Sequence, residues 1–243
     1  MSSTDGGEKQ RLRELIWQRI AADPEVRTAV PPAGRIPGFQ QAEAAAQRLA
    51  QLDEWRAARA LKTNPDTPQL PVRRLALEQG KRLYMAVPKL ATERPFIALA
   101  APPGVSAELL ASSEGAQRHG VPTRVDELPP IDLIVCGTVA VNPDGVRIGK
   151  GAGYADLEYA LLSELGLVTE RTWIATTVHD VQVLEQELPE TEHDFRVDFV
   201  VTPTRVIRCP RVARPRGLIW EQLDADKIAA IPELAARQSR RQL

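Results

Sequence analysis

The sequence of 243 residues has few of the residues that define several common protein classes. Its two cysteines, Cys136 and Cys209, form no CxxC pair and give no disulfide framework. Three histidines without a Cys/His run at ligand spacing argue against a structural zinc site. No apolar stretch approaches the roughly 18–20 residues that cross a bilayer, so we expect no integral membrane protein. The net charge of −1 gives no overall electrostatic case for nucleic acid binding.

The residues that are present are typical of a globular protein. Hydrophobic residues make up 43% and charged residues 26% of the sequence, which excludes collagen-like and disordered classes. The first twenty residues are polar and amphipathic and lack the apolar core of a secretory signal. We therefore expect a cytoplasmic protein.

Two helices are predicted before residue 63. Leucines and isoleucines recur at helical spacing over residues 8–22, and Asp23-Pro24 ends this helix. The content of Ala, Leu and Arg predicts a second, longer helix over residues 41–62. The helical pattern is then interrupted by the turn residues Asn64-Pro-Asp-Thr-Pro68. These patterns predict an N-terminal helical segment over residues 1–62 that packs on the main domain.

From residue 63 the pattern alternates between strands and helices, which predicts a layered α/β fold with a largely parallel sheet. The run from Ile131 to Cys136 is the predicted central strand, because it is short, apolar and bounded by turn residues. The α/β core is predicted over residues 63–208 and a C-terminal extension over 209–243, in one domain overall. The other predicted strands are 82–87, 96–101, 173–178 and 197–201, and the predicted helices are 72–79, 106–114 with Ser106 as N-cap, and about 156–166.

The densest chemical pattern is Gly145-Val-Arg-Ile-Gly-Lys-Gly-Ala-Gly-Tyr-Ala-Asp156. Its alternating glycines precede a predicted helix, where backbone N–H groups and the helix N-terminus can bind phosphate. Arg147 and Lys150 add positive charge, and Asp156 can hold a Mg²⁺ that bridges phosphates. The Walker A pattern fails because Gly151 follows the lysine, and the dinucleotide pattern fails at Tyr154. A phosphate cradle and a simple chain turn both remain open.

Residues 147–156 resemble the RLGxGxGYYD signature of the 5-formyltetrahydrofolate cyclo-ligase (methenyltetrahydrofolate synthetase) family. The resemblance covers about residues 8–208 and implies an α/β fold of the ribose-5-phosphate isomerase/CoA-transferase-like type. Further segments agree with the family in order: Lys9-Gln-Arg-Leu-Arg13 with KxxLR, Gly80-Lys81 with its GK step before a strand, Asp132-Leu-Ile-Val135 with its central strand, and Glu192-His-Asp194, Val197-Asp198 and Thr202 with its closing HDxxxDxxxT stretch.

The resemblance implies a site for ATP and Mg²⁺. Carried over residue by residue, it makes Asp156 the Mg²⁺ ligand and Arg147 and Lys150 the catalytic residues. Tyr154 and Asp66 are the candidate substrate contacts. The residues that the resemblance places on ATP are Lys9, Arg13, Arg147, Gly149, Lys150, Gly151, Gly153 and Tyr154.

The reaction implied by the resemblance converts 5-formyltetrahydrofolate to 5,10-methenyltetrahydrofolate. The formyl oxygen is a poor leaving group, so ATP phosphorylates it, N10 of the substrate attacks the formyl carbon, and phosphate leaves. Such chemistry needs positioning and charge neutralisation more than a protein nucleophile. We therefore expect a small-molecule substrate, either a reduced folate or another metabolite.

The folate side of the pattern departs from the family. The usual Glu-Ile/Val-x-Thr element before the GK strand is replaced by Lys62-Thr-Asn-Pro-Asp-Thr-Pro-Gln69, in which the glutamate is missing. Ala155 and Leu157 replace the second tyrosine and the arginine of the signature. This version is similar to a divergent subgroup of cyclo-ligase-like, methenyltetrahydrofolate synthetase domain-containing proteins. For that subgroup the alternative is a nucleotide-binding protein without cyclo-ligase activity, linked to thiamine metabolism.

Three further features each have a structural and a functional interpretation. His179-Asp180 and His193-Asp194 can act as acid/base pairs or as structural pairs at strand ends. Cys136 is interpreted as a small buried thiol rather than a nucleophile, because no base can be assigned to it. Five arginines between Arg205 and Arg216 are interpreted as a solvated or paired face, with RNA binding as the alternative.

Overall fold

The computed structural model describes residues 3–100 and 103–241, with side chains described from residue 6 onward. Within these ranges the chain forms nine α-helices and ten β-strands. The helices are α1 (Ser3–Ala22), α2 (Ala42–Ala50), α3 (Asp53–Ala57), α4 (Leu70–Glu78), α5 (Ala107–Ala111), α6 (Ser113–His119), α7 (Tyr154–Glu164), α8 (Ala225–Ala230) and α9 (Pro232–Arg241). The strands are β1 (Ala60–Thr63), β2 (Arg82–Ala86), β3 (Phe96–Leu99), β4 (Val121–Thr123), β5 (Leu133–Cys136), β6 (Ala140–Val141), β7 (Arg147–Ile148), β8 (Trp173–Thr177), β9 (Phe199–Val201) and β10 (Val206–Arg208).

Eight strands form one sheet in the order β10-β9-β8-β5-β1-β2-β3-β4. The five strands from β9 to β2 are parallel to one another, whereas β10, β3 and β4 pair antiparallel at the two edges. In β5, Leu133 is in register with Leu61 on one side and Trp173 on the other. The predicted α/β class with a largely parallel sheet is confirmed, as is the predicted central strand.

Helices cover both faces of this sheet. Along β5, Ile134 and Cys136 pack in the cluster that contains α7, α8 and α9, whereas Leu133 and Val135 pack against the helices from α2 to α6. This alternation follows from the two-residue repeat of a strand and gives both faces an apolar layer. The result is a three-layered molecule in which α7 lies directly on the central strands.

The N-terminal helix packs on a separate hairpin. Strands β6 and β7 pair antiparallel, and Ile16 and Ile20 of α1 share a cluster with Ala140 and Ile148 of this hairpin. The predicted helix over residues 8–22 is confirmed. Its packing places the preceding turns of α1 beside the chain that leaves β7, at residues 149–153.

Two predicted helices are wrong. The single helix expected over residues 41–62 is instead α2, α3 and the central strand β1. β1 pairs with both β2 and β5, so these tertiary hydrogen bonds override the helix propensity of its Ala, Leu and Lys. The helix expected over 106–114 divides at Ser112, whose side chain accepts a hydrogen bond from Gly115 N (2.9 Å) and begins α6, while Ser106 caps α5 as predicted.

The predicted boundary between residues 62 and 63 falls inside β1, so the first predicted segment supplies most of a central strand. The strand predicted over residues 96–101 has its predicted end, Ala101, outside the described residues. Among the helices that the structure describes, none has the length and apolar character needed to cross a membrane.

Candidate functional site

The chain between β7 and α7 forms a loop over residues 149–153, called the glycine loop below. Gly151 has φ +108° and Gly153, the N-cap of α7, has φ +70°, which are conformations that favour glycine. An added Cβ on Gly151 would lie 3.3 Å from the guanidinium carbon of Arg13, and one on Gly153 would lie 3.4 Å from Lys227 Nζ. Glycine therefore lets positively charged side chains approach the loop and the N-terminus of α7 closely.

A first cavity of about 200 Å³ lies on one side of the glycine loop. Arg13 lines it and donates from Nε to Gly149 O at 2.8 Å. Lys9, one turn earlier on α1, donates a hydrogen bond to the carboxylate of Asp194. Lys227 reaches the same loop from α8 and donates to Ala152 O at 3.0 Å. Positive groups from two separate segments, α1 and α8, thus lie against the glycine loop.

Arg147 lies at the base of this arrangement and is 4% exposed. Its guanidinium forms an ion pair with Asp156 in the first turn of α7 and stacks 3.9 Å from the centroid of the Phe195 ring. Burial opposes its charge, but the neighbouring Asp156 holds the pKa of Arg147 above the usual value. Its buried Nε has no hydrogen-bond partner among the described residues. An orphaned cationic N–H beside a glycine loop fits an anionic ligand.

A second cavity of about 390 Å³ lies on the opposite side of the glycine loop. Lys150 faces this cavity, where its ammonium is 3.2 Å from Asp66 Oδ1. Tyr154, Asn64 and Glu158 also line it. Arg147 and Asp156 line both cavities, so the glycine loop and this ion pair separate two compartments.

A buried polar cluster forms the floor of the second cavity. Lys62, at the end of β1, forms an ion pair with Glu158 of α7, and both side chains are at most 5% exposed. Asn64 Nδ2 donates to the same carboxylate oxygen at 2.9 Å, while Asn64 Oδ1 accepts from Gly137 N at 3.3 Å. Burial raises the pKa of Glu158, although Lys62 and Asn64 oppose this shift.

The loop that carries Asn64 and Asp66 is fixed from below by Arg73. This side chain is 1% exposed and donates to the carbonyl oxygens of Asn64 (2.6 Å) and Asp66 (3.0 Å). Burial lowers the pKa of Arg73 to about 10. A Cβ added to Gly137 would lie 2.7 Å from Asp66 Oδ2, so this glycine leaves the space that the aspartate occupies. Hydrogen bonds from Arg73 therefore hold the loop that forms one wall of the second cavity.

The donor set for a metal consists of two carboxylates. Asp156 and Asp194 both line the first cavity, and each is paired with a cation, Arg147 and Lys9 respectively. Among the described residues, no group of three or more His, Cys, Asp or Glu side chains is placed to hold a metal. One or two carboxylates are what Mg²⁺ commonly takes from a protein when phosphates complete its coordination. The residues present thus fit a Mg²⁺ that arrives with phosphates.

The predicted site residues divide between the two compartments. Lys9 and Arg13 line only the first cavity, whereas Arg147, Gly149, Gly151, Gly153 and Asp156 line both. Lys150, Tyr154 and Asp66 lie in the second cavity, across the loop from Lys9 and Arg13. Sequence reasoning missed Glu158, Lys62, Asn64 and Lys227. A signal for Glu158 was present, because an acid falls within an otherwise apolar helical face, between Leu157 and Leu161.

The two His-Asp pairs have different surroundings. His179 accepts from Val181 N at 3.3 Å, caps a short 3₁₀ turn and packs edge-on against Phe39. Burial lowers its pKa. His193 lines the first cavity, where its Nδ1 is 2.8 Å from Gln222 Oε1. His179 therefore caps a turn and packs within the fold, whereas His193 and Asp194 line the first cavity.

The five arginines between residues 205 and 216 each face an acid. Arg214 and Arg211 pair with the buried Asp198, and Arg208 pairs with Glu54 at 2.7 Å. Arg205 lies near Asp180 and Glu185, and Arg216 lies 3.7 Å from Glu170. This geometry accounts for the cluster by pairing within the protein.

Comparison with known proteins identifies relatives of this chain. The chain is 40% identical to the methenyltetrahydrofolate synthase domain-containing protein of Mus musculus and 38% identical to that of Homo sapiens, over 96% and 98% of its own length. It spans 64% and 63% of these relatives, a little under two thirds. A 5,10-methenyltetrahydrofolate synthetase of Aquifex aeolicus, solved by NMR, superposes with a TM-score of 0.53 at 20% identity. This superposition covers 88% of our chain and 99% of the other and supports the shared fold.

The sequence model of the 5-formyltetrahydrofolate cyclo-ligase family matches residues 5–203. This range contains the glycine loop and the buried Lys62–Glu158 pair, together with the α1 cations of the first cavity. The chain therefore belongs to the 5-formyltetrahydrofolate cyclo-ligase family.

Proposed function

We propose that this protein is an ATP- and Mg²⁺-dependent ligase that converts 5-formyltetrahydrofolate to 5,10-methenyltetrahydrofolate. One observation carries the proposal: a glycine loop separates two cavities, and the buried Arg147–Asp156 pair lines both of them. A reaction that passes a phosphoryl group from one ligand to another needs two adjacent compartments with a shared positive group. Family membership and the names of the relatives support the folate substrate.

The first cavity is the proposed phosphate compartment. Its cations, Lys9, Arg13 and Arg147, lie beside the N-terminus of α7, where backbone amides and the helix dipole favour anions. Asp156 and Asp194 would hold Mg²⁺ together with the phosphates. When bound, ATP supplies the phosphoryl group that turns the formyl oxygen into a leaving group. The protein's part is to neutralise charge and to hold the two ligands in line.

The second cavity is the proposed folate compartment. Tyr154 offers an aromatic face, and Asn64, Asp66 and Glu158 offer polar atoms for the edges of a pterin ring. Lys150 lies at the junction with the glycine loop, where its charge would neutralise the transferred phosphoryl group. These roles make Lys150 and Arg147 the proposed catalytic residues.

A second candidate is a nucleotide-binding family member without this activity. It is favoured by the pairing of Glu158 with Lys62, because a carboxylate already held by an ammonium and an amide has less capacity for a pterin. A polar group of a buried ligand left without a partner costs about 1–3 kcal/mol, or roughly tenfold or more in affinity. We therefore expect weak turnover compared with family members that carry the full folate-side element.

The test is formation of the methenyl chromophore from 5-formyltetrahydrofolate and Mg-ATP by the purified protein. We expect absorbance to rise at least about tenfold more slowly than with an enzyme that has the full signature, assayed side by side. Lys150→Ala should abolish the signal, whereas Arg118→Ala, at an exposed side chain of α6, should leave it unchanged. No chromophore despite measurable Mg-ATP binding would favour the second candidate, and a rate equal to the reference enzyme would contradict the expected weakness.

A further inference from the structure

The wall of the first cavity opposite α1 is built by residues 217–227, called the C-terminal wall below. The family match ends at residue 203, so this wall lies outside the residues that define the family. Seven of its residues line the cavity: Gly217, Leu218, Ile219, Gln222, Leu223, Asp224 and Lys227. A segment outside the family pattern thus closes the compartment that holds the phosphate-binding loop.

The C-terminal wall runs antiparallel to α7. At one end, Leu218 N donates at 3.1 Å to Oε1 of Glu164, the last residue of α7. At the other end, Lys227 Nζ reaches Ala152 O in the glycine loop and lies 5.7 Å from the centroid of the Tyr154 ring. The wall therefore follows the whole helix from its C-terminus to its N-terminus.

The cavity changes in character along this direction. Near the N-terminus of α7 it is lined by cations and backbone amides. Further along, Leu157 and Ala160 of α7 face Leu218, Ile219 and Leu223 of the wall. Gly153 and Ala160 are about 10 Å apart along the helix, at 1.5 Å per residue. An anion-binding end joined to an apolar end at this distance matches a ligand with a phosphate chain and a flat aromatic base.

We propose that the C-terminal wall is the nucleoside-binding half of the ATP site. The apolar side chains Leu218, Ile219 and Leu223 enclose the base, and Lys227 adds a positive charge for the phosphates at the glycine loop. This inference rests on the proposed function, because it concerns the same nucleotide. It assigns base recognition to a segment outside the family match.

A hydrogen-bond bridge joins the wall to the His193-Asp194 segment. Gln222 Oε1 is 2.8 Å from His193 Nδ1, and Gln222 Nε2 donates to Glu192. Asp194 in turn accepts from Lys9 of α1. The C-terminal wall, the 192–194 segment and α1 therefore form a continuous rim around the cavity.

Calorimetric titration of the full chain with two probes, Mg-ATP and Mg-tripolyphosphate, separates the two parts of the wall. We expect Lys227→Met to weaken both probes about tenfold, because a charge-assisted phosphate contact is lost. Leu223→Asn should weaken ATP about tenfold and leave tripolyphosphate unchanged, because it puts a polar group into the apolar end. The matched control is Arg216→Met, which removes a positive charge immediately before the wall at a side chain 90% exposed. It should change neither affinity.

Melting temperatures establish that each variant is folded. If Leu223→Asn lowers the melting temperature, Leu223→Ala, which removes contact area without adding a polar group, is measured in its place. ATP binding by both wall variants at the wild-type affinity would overturn this inference and leave the proposed function standing. Equal loss of ATP and tripolyphosphate in the Leu223 variant would overturn the assignment of the base. Absence of ATP binding by the wild-type protein would overturn both proposals.

Discussion

The two cavities on either side of the glycine loop are built in different ways. The first takes its cations from α1, β7 and α8, and two of them, Arg13 and Lys227, hydrogen-bond to carbonyl oxygens of the loop. The second rests on Lys62 and Glu158, which neutralise each other below the surface. Cations that hydrogen-bond to carbonyl oxygens can give up these bonds to bind a phosphate. The two charges of a buried pair neutralise each other and are not available to a ligand. The first compartment is suited to binding anions and the second to holding a fixed shape.

This difference explains why the family pattern is retained on one side and altered on the other. The first compartment depends on glycines and on an arginine at fixed spacing, which form one continuous local pattern. The second compartment depends on contacts between β1, the 64–66 loop and α7, which different residues can satisfy. Glu158 of α7 accepts a hydrogen bond from Asn64, which lies in the region where the sequence lacks the family's Glu-Ile/Val-x-Thr element.

The largest expected effect comes from breaking the buried pair of the second cavity. Glu158→Gln leaves the Lys62 ammonium buried without a counter-charge, so we expect a loss of about 3–5 kcal/mol in the free energy of unfolding. Urea denaturation followed by circular dichroism measures this loss. If Glu158→Gln unfolded at the same urea concentration as the wild-type protein, the buried pair would not stabilise the second cavity, and the difference drawn between the two cavities would be wrong.

The control for this prediction removes both charges. Lys62→Met together with Glu158→Leu replaces the pair by apolar side chains of similar volume, which is often neutral or stabilising for buried ion pairs. We expect the double variant to regain most of the stability that the single variant loses. A double variant as unstable as Glu158→Gln would mean that Asn64, left without its acceptor, dominates the cost.

The sequence predicts the first cavity better than the second for a physical reason. Residues 149 to 156 form one continuous glycine-rich segment before a predicted helix, and the family resemblance assigns Lys9 and Arg13 within the predicted first helix. Lys62 and Glu158 are 96 positions apart and meet only because β1 is a strand beneath α7. With residues 41–62 predicted as one helix, no register could bring Lys62 to that position. Strand pairing between distant segments therefore brings Lys62 to Glu158, and local propensity does not predict this contact.

The same reasoning applies to the C-terminal residues. Lys227 belongs to no recognisable sequence motif, and its place at the glycine loop depends on how α8 packs on α7. By contrast, the C-terminal end of α1 and both ends of α4 and α7 agree with prediction within a few residues. Each of these helices has its own apolar periodicity and end signals. Elements with local signals were predictable, and the contacts between them were not.

The next prediction sharpens the division of cations between the two compartments. Lys150 faces the second cavity and Arg13 the first, although both flank the same loop. We expect Arg13→Ala to weaken Mg-ADP and Mg-ATP alike, about tenfold, because it lies beside phosphates that both nucleotides possess. Lys150→Ala should weaken Mg-ATP to a similar extent and leave Mg-ADP unchanged. Calorimetry on the two variants measures this, and an equal loss of ADP affinity in Lys150→Ala would place Lys150 in the first compartment.

The smallest expected effect is the pH dependence of the contact between α1 and the 192–194 segment. Burial of Asp194 opposes its ionisation, but hydrogen bonds from Lys9 and Thr191 hold its pKa below the ordinary value of 3.8. As the pH falls below 3.8, the unfolded chain therefore takes up a proton at this position that the folded chain does not. The stabilisation from Asp194 should be complete above that value and should be lost as the pH falls through the lower folded-state pKa.

Urea unfolding of the wild-type protein and of Asp194→Asn, from pH 3 to pH 6 in steps, isolates this contribution. The asparagine does not titrate, so the difference in unfolding free energy between the two proteins should be constant near pH 6 and should narrow as the solution is acidified. In a Lys9→Met background the narrowing should weaken, because the ammonium that favours the carboxylate is gone. A difference that widened on acidification would mean that burial, and not Lys9, determines the protonation of Asp194. Burial would then dominate the charge of a carboxylate in the first cavity, as it does for Glu158 in the second.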